Sequence, residues 1–417
     1  KRQLLVRNRS WELARQLGAG YDLVIVNLPY PSTLQLNRFY TLEFYQMVRE
    51  LMTEHGILII SCPGSLSYVS DELRDLNTML HHTLQGAFPY VRPIPGDSTT
   101  LWLASSSDEL TAAQVGTLIG RWEERGLESN LLTAPYLRHR FDQRYLNWFW
   151  EALGDKERAG QPTINRDLHP VGLFYGLSYW NALFSPDLAR VLALADGLDW
   201  RFLGPLFLRC GLAYLAVLKL TGRGKGAVIP IVIAATGFTG MTADLVFVFA
   251  FQTLYGYVYH WIGLIIAAFL AGLSLGGLVM TRRLGRKGWE KSTLLMLELA
   301  LVLYWALLPI ALITLYSGIT RPLLFGSIQW ILLFLNALAG FLVGSQFPLA
   351  NQMWLKGRQD QEGTAGVLYA SDLVGAFIGS IAVSVILIPL LGIVETCLVA
   401  AIVKLSSLLL ATALPSR

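Results

Sequence analysis

Charge is scarce in this chain: 15% of its 417 residues are Asp, Glu, Lys or Arg, against 53% hydrophobic. With a mean hydropathy of +0.47, so little charge cannot coat two or three water-soluble domains, and an all-soluble protein is excluded. Cysteine is rarer still. Cys62, Cys210 and Cys397 are far apart, odd in number and without a CxxC pair, so neither a disulfide framework nor a cysteine metal site is indicated, and a reducing cytoplasmic setting is expected. The six histidines, His55, His81, His82, His139, His169 and His260, form no HExxH and no haem-attachment motif. His81 and His82 point different ways on a helix and read as surface or half-buried residues. A net charge of +4 on 33 bases and 29 acids is too small and too dispersed for nucleic acid, which needs basic residues massed on one face.

What charge there is lies mostly in one half. Residues 1–200 hold 40 of the charged side chains and residues 201–417 hold 22, so the chain reads as two domains in two solvents. In the first, Asp22-Leu-Val-Ile-Val-Asn27 and Gly56-Ile-Leu-Ile-Ile-Ser61 have the length and branching of buried parallel strands. Between them Phe44, Met47, Val48 and Leu51 recur at helical spacing, which predicts a helix over 41–54 and a right-handed crossover unit. A helix near 70–84 then leads to two closing antiparallel strands, at 88–92 and 100–104. Leu4 to Arg7 could add a strand, but Gly18-Ala-Gly20 is better read as a helix cap and turn than as a phosphate cradle, since no helix follows it. The sequence opens on Lys1 rather than Met, which reads as a fragment or processed form, with the first half of the sheet expected upstream.

Tyr21-Asp-Leu-Val-Ile-Val-Asn-Leu-Pro-Tyr-Pro31, Asn37-Arg-Phe-Tyr-Thr-Leu-Glu-Phe-Tyr45 and Gly56-Ile-Leu-Ile-Ile60 resemble the second half of the spermidine synthase (aminopropyltransferase) family, which writes them YDxIIxDxxDP, LYxxEFY and GxLxxQ. The resemblance continues more weakly through Phe88-Pro-Tyr90 and Pro95-Gly96. Asn165-Arg-Asp-Leu-His-Pro170 and the apolar half resemble the multi-spanning membrane branch of that family. It implies transfer of an aminopropyl group from decarboxylated S-adenosylmethionine to an amine. An ammonium ion cannot attack until a carboxylate holds it and removes a proton. The two acids of DxxDP serve that purpose in the family, and the positions matching them here are Asn27 and Tyr30. An amide is not basic and a phenol is already protonated, so neither does that work. Asp22 matches a strand-start acid with a structural role, and Tyr40 and Glu43 match LYxxEFY, where packing is expected.

Residues 108–200 read as helical, with amphipathic helices over 110–125 and 137–153. The second carries Tyr145, Trp148, Phe149 and Trp150, a cluster read as core or as an interfacial belt. Residues 154–165 are a polar break. Tyr175, Tyr179 and Trp180 precede a helix near 186–196, taken as the join to the membrane.

About 20 apolar residues cross a bilayer, and tracts near 227–255, 261–281, 293–316, 326–350, 365–391 and 393–414 qualify as six spans. The tract 202–220, with Arg209 in its middle, either spans or lies along the interface. Loops holding Arg223, Lys225, Arg282, Arg283, Arg286, Lys287, Lys356 and Arg358 alternate with loops holding Arg321 alone, which makes the first set cytoplasmic. An interfacial 202–220 would make the first domain cytoplasmic as well, and that is the expectation. Ala268, Gly272 and Gly276, Gly340 and Gly344, and Gly375 and Gly379 are small-residue faces for close helix packing. The pentapeptides Thr242–Val246 and Ala370–Val374 hint at duplication, common in transporters. Asp244, Glu298, Asp372 and Lys404 fall within spans, where exposure to lipid costs about 3 kcal/mol each, so they should face inward. Lys404 with Asp372 or Asp244 is the expected pair. Gln252, Asn336 and Gln346 are expected to join a polar seam.

The expected architecture is therefore a partial doubly wound (Rossmann-like) α/β domain over 1–106, a helical extension and linker over 107–200, and an all-α polytopic membrane bundle over 201–417. Its expected role is a non-catalytic scaffold, accessory subunit or transporter-like module, in contact with lipid and with other membrane-protein subunits. The alternative is a membrane-anchored aminopropyltransferase, or a transferase using S-adenosylmethionine, whose cofactor-binding half precedes residue 1. Polyamine, and decarboxylated S-adenosylmethionine or S-adenosylmethionine, enter only under that alternative.

Overall fold

A computed structural model describes residues 20–126, 129, 133–154, 163–185, 187, 190, 192, 194, 200–221, 225–256, 259–284, 289–318, 322–355 and 361–414. The expected strand at 4–7, the turn at Gly18-Ala19, most of the expected helix near 186–196 and the loop residues Arg223, Arg286, Lys287, Arg321, Lys356 and Arg358 lie outside the described residues. The chain forms two units, Lys1–Leu194 and Ala195–Arg417.

In the first unit, β1 (Tyr21–Val26), α1 (Leu34–Asn37), α2 (Leu42–Leu51), β2 (Met52–Pro63), α3 (Asp71–Gln85), β3 (Tyr90–Ile94) and β4 (Thr99–Ser105) build a mixed sheet of order β1-β2-β4-β3. β1 pairs parallel to β2, and β4 runs antiparallel to both β2 and β3. Alternation selects the core face: Leu58, Ile60 and Cys62 of β2, Val24 and Val26 of β1, and Trp102 and Ala104 of β4 are buried against Phe44, Val48, Leu76 and Leu80 of the two helices. Thr41 and Ser70 start those helices by accepting the N–H of Phe44 and of Leu73.

Four expectations change here. The first helix ends at Leu51, because Met52 is extended and pairs with Tyr21, while Thr53 Oγ1 donates to Asp22 Oδ1 at 3.1 Å. β1 is buried on one face only: it is an edge strand among the described residues, and Leu23 and Ile25 are 37% and 50% exposed. The helix expected over 110–125 is two, α4 (Glu109–Ala112) and α5 (Val115–Glu124). Ala113 is extended, and Arg92 Nη1 takes the carbonyls of Leu110 and Ala113 freed at the break, at 3.1 and 2.8 Å. The helix expected over 137–153 is also two, α6 (Ala134–Arg140) and α7 (Gln143–Leu153), since Asp142 leaves the helical path to cap α7 through the Arg144 N–H. Of the aromatic cluster, Phe149 joins the core beside Trp102. Tyr175, Tyr179 and Trp180 are themselves helical, in α8 (Val171–Phe184).

The second unit is helical: α9 (Trp200–Thr221), α10 (Val228–Tyr255), α11 (Tyr259–Arg283), α12 (Glu290–Gly318), α13 (Pro322–Leu355), α14 (Gln361–Ile381), a π-helical continuation at Ala382–Leu391, and α15 (Ile393–Thr412). Among the described residues six helices are long and apolar enough to cross a membrane: 228–255, 260–283, 290–318, 326–355, 365–391 and 393–412. The π-helical stretch holds Pro389, whose ring cannot continue an ordinary α-helix. Gly392 turns the chain into α15 at φ +93°, a value a side chain resists.

Small residues pair the helices. A Cβ on Gly272 or Gly276 of α11 would strike the carbonyls of Ala337 and Phe341 on α13, and Gly340 and Gly344 lie as close to Phe269 and Leu273. Gly375 and Gly379 of α14 press in the same way on Ala234 and Phe238 of α10. In both pairs residue numbers rise together, so α11 runs parallel to α13 and α10 to α14, backbone against backbone, as packing in lipid favours.

Candidate functional site

Ligands of open α/β sheets gather beyond the carboxyl ends of parallel strands. Here β1 is followed by Asn27, which is exposed, and Tyr30, which is half-buried and packed edge-on against Tyr179 of α8 at 5.3 Å. Burial, then the neighbouring Tyr179, pushes the Tyr30 phenol above its usual range, so it holds its proton. Tyr40 donates to the carbonyls of Leu28 and Pro29, both at 3.0 Å, and pins the loop that carries these residues. Just past β2 opens a cavity of ≈ 530 Å³ lined by Gly64, Ser65, Tyr68, Glu72 and Tyr179 among others, within the range of small-molecule sites.

Asn165 holds the site from beneath. Fully buried, it donates to Asn37 Oδ1 at 3.0 Å and the Tyr40 carbonyl at 2.9 Å, while its Oδ1 accepts the Gly172 N–H at 3.0 Å. This knot ties the start of α8 to the β1 loop. Gly176, one turn on, brings the helix backbone against the Pro31 carbonyl, and Tyr179 follows. Glu43 accepts the Asp167 N–H at 3.1 Å and faces Arg166 at 3.5 Å. Burial, then Asp167, raises its pKa, and the hydrogen bonds and Arg166 oppose the rise. Its bonds are those of a structural clamp. Nothing in the sequence marked Tyr179 as a neighbour of Tyr30, or Glu72 as lining one cavity with Tyr179, since Glu72 and Tyr179 come from separate helices.

A second cavity, of ≈ 620 Å³, lies between α3 and α7 and is lined by Thr78, His81, His82, Trp150 and Glu151 among others. His81 stacks on Trp102 at 5.2 Å and meets Trp150 at 4.9 Å. Burial, then His82, lowers the His81 pKa to about 4.

Within the bundle, Lys404 pairs with neither Asp372 nor Asp244. Its Nζ donates to Glu298 Oε1 at 2.7 Å, Thr236 Oγ1 at 3.0 Å and Gln346 Oε1 at 3.3 Å. Gln346 Nε2 also donates to Glu298 Oε1, at 3.0 Å. Four helices, α10, α12, α13 and α15, thus meet at one polar node in which Lys404 and Glu298 are fully buried. Asp372 instead lies where α14 presses on Gly237, and Asp244 accepts from Asn336 Nδ2 at 3.3 Å. Gln252 is half-buried two turns beyond Asp244. Of the expected seam residues, Gln346 enters the node and Asn336 serves Asp244. Thr236 was invisible as a partner, because a threonine in an apolar helix ordinarily bonds its own backbone.

The two halves define a class: a helical, membrane-type chain carrying a small mixed sheet with a pocket at its strand ends. No family model matches the chain. A curated polyamine aminopropyltransferase of Corynebacterium efficiens is 29% identical over 177 residues, 42% of this chain and 32% of that protein. The chain therefore spans about a third of that relative's length, and a spermidine synthase-like relationship is supported at that level.

Proposed function

We propose that this is a multi-pass membrane protein whose spermidine synthase-like domain does not perform aminopropyl transfer and acts as a scaffold, an accessory subunit or a transporter-like module. One observation carries the reading. At the end of β1, where that chemistry needs two carboxylates, stand an exposed amide, Asn27, and a phenol, Tyr30, packed on Tyr179. Neither takes a proton from an ammonium ion at neutral pH. The sheet, on this reading, is the second half of a Rossmann-like domain over 1–106, joined by 107–200 to the bundle.

Full-length protein in detergent, given putrescine and labelled decarboxylated S-adenosylmethionine, is expected to form no labelled spermidine; steady turnover would overturn the proposal.

The cavity beside β2 favours a second reading, a membrane-anchored aminopropyltransferase or S-adenosylmethionine-dependent transferase. Glu72 gives its wall a carboxylate. Under that reading turnover is present and Glu72→Gln removes it.

A further inference from the structure

We propose that α9 is a seventh membrane-crossing helix whose exposed apolar face is covered by lipid acyl chains, so that the chain preceding it emerges opposite the basic loops. The sequence left residues 202–220 open between a span and an interfacial helix. Packing separates the two.

α9 lies along α15. A Cβ on Gly204 would come within 2.6 Å of Ile402 Cδ1, and one on Gly211 within 2.8 Å of Ser406 Cβ. Ser406 Oγ reaches the Phe207 carbonyl at 3.3 Å. Tyr214 and Leu215 pack on the cluster that contains Leu410, Ala411 and Leu414. Residue numbers rise together through all these contacts, so the helices run parallel for about three turns. A helix lying flat in the interface would cross α15 steeply and touch it once. With 22 residues, α9 is about 33 Å long, enough to cross the hydrocarbon.

Its direction follows from the bundle's ends. One apolar cluster gathers Val228, Leu294 and Leu368, near the starts of α10, α12 and α14, with Met280, Trp354 and Leu414, near the ends of α11, α13 and α15. Lys291, at the start of α12, donates to the Thr412 carbonyl at 3.0 Å. Lys225, Arg282 and Arg283 leave from this end, which the positive-inside rule makes cytoplasmic. α9 runs toward it, so residue 200 stands near the other face.

The outer surface of α9 suits lipid. Phe202, Leu206, Leu212, Val217 and Leu220 are exposed, continuing the apolar exterior of the neighbouring spans. Arg201 and Lys219 stand near its two ends. Arg209 is exposed at the level of Ser406, about 9 Å before the end of α15, within snorkelling reach of the cytoplasmic interface.

The test is sided labelling of the full chain in sealed vesicles with a membrane-impermeant maleimide. In a Cys210→Ser background, Ser98→Cys and Arg283→Cys, both at exposed positions, are expected to label from opposite faces; labelling from the same face overturns the proposal. The unaltered chain supplies a second readout, since Cys210 is exposed on α9 while Cys62 and Cys397 are buried. In sealed vesicles the impermeant reagent should not modify Cys210 from either side, because a thiol among acyl chains does not ionise to the reactive thiolate, and denaturing detergent should expose it to the same reagent. Impermeant labelling of Cys210 overturns the proposal, and an oxidative Cys210–Cys210 cross-link would give the face to a second copy and overturn lipid as its cover.

Discussion

The sheet unit and the helical unit bury polar groups in different ways. Beneath the sheet the buried polar residues are neutral: Asn37, Asn77, Thr83 and Asn165, held largely by backbone groups. Inside the bundle they include a full ion pair, Lys404 with Glu298, joined by Gln346 and Thr236. A water-soluble unit can leave its charges at the surface and knot its interior with amides. Helices surrounded by lipid have no aqueous surface at mid-depth, so a charge there must find its opposite at a helix crossing.

Breaking the node should produce the largest effect. Lys404→Met strands the buried Glu298 carboxylate and is expected to cost about 3–5 kcal/mol, seen as a lowered unfolding midpoint in detergent. Glu298→Gln added to Lys404→Met should recover most of that loss. Asn165→Ala comes next. It leaves Asn37 Oδ1, the Tyr40 carbonyl and the Gly172 N–H without their partner, for about 2–3 kcal/mol, read as faster hydrogen exchange in the sheet unit alone. Equal losses from Lys404→Met and Asn165→Ala would erase the contrast between the two interiors.

His81 sharpens it through pH. Its folded-state pKa, about 4, lies below the ordinary 6.5, so from pH 6.5 down to about 4 the unfolded chain binds a proton that the folded chain refuses. Stability of the sheet unit should be fully present above 6.5 and fall through that window. His81→Gln is expected to flatten the slope, as followed by hydrogen exchange against pH. Glu43→Gln should have the smallest effect. Burial raises the Glu43 pKa, so this group favours the folded state at acid pH and the benefit is lost as pH rises through its folded-state pKa. At neutral pH the amide should therefore change the unfolding free energy by no more than about 0.5 kcal/mol, as read from denaturant titration.

Much of the architecture was legible. The strands at β1 and β2, the helix between them and the six apolar tracts follow from runs of neighbouring side chains. So does the presence of Asn27 and Tyr30 where the motif that the sequence resembles has two acids. Most departures came where a distant residue intervened. Arg92, some 20 positions upstream, satisfies the carbonyls that divide α4 from α5. Met52 extends because Tyr21 pairs with it. Asp142 is a local cap that the apolar periodicity on either side concealed.

Partition between water and lipid is a sum over adjacent residues, so the sequence by itself determined which stretches form the bundle, and the small residues that let its backbones touch. It also determined that an amide and a phenol, Asn27 and Tyr30, follow the first strand. Tertiary structure alone decided that Lys404 meets Glu298 rather than either aspartate, that α9 lies along α15, and that Glu72 and Tyr179 share a cavity. Those outcomes depend on which helices become neighbours, and electrostatic pairing acts over a few ångströms between residues that the chain separates by a hundred positions or more.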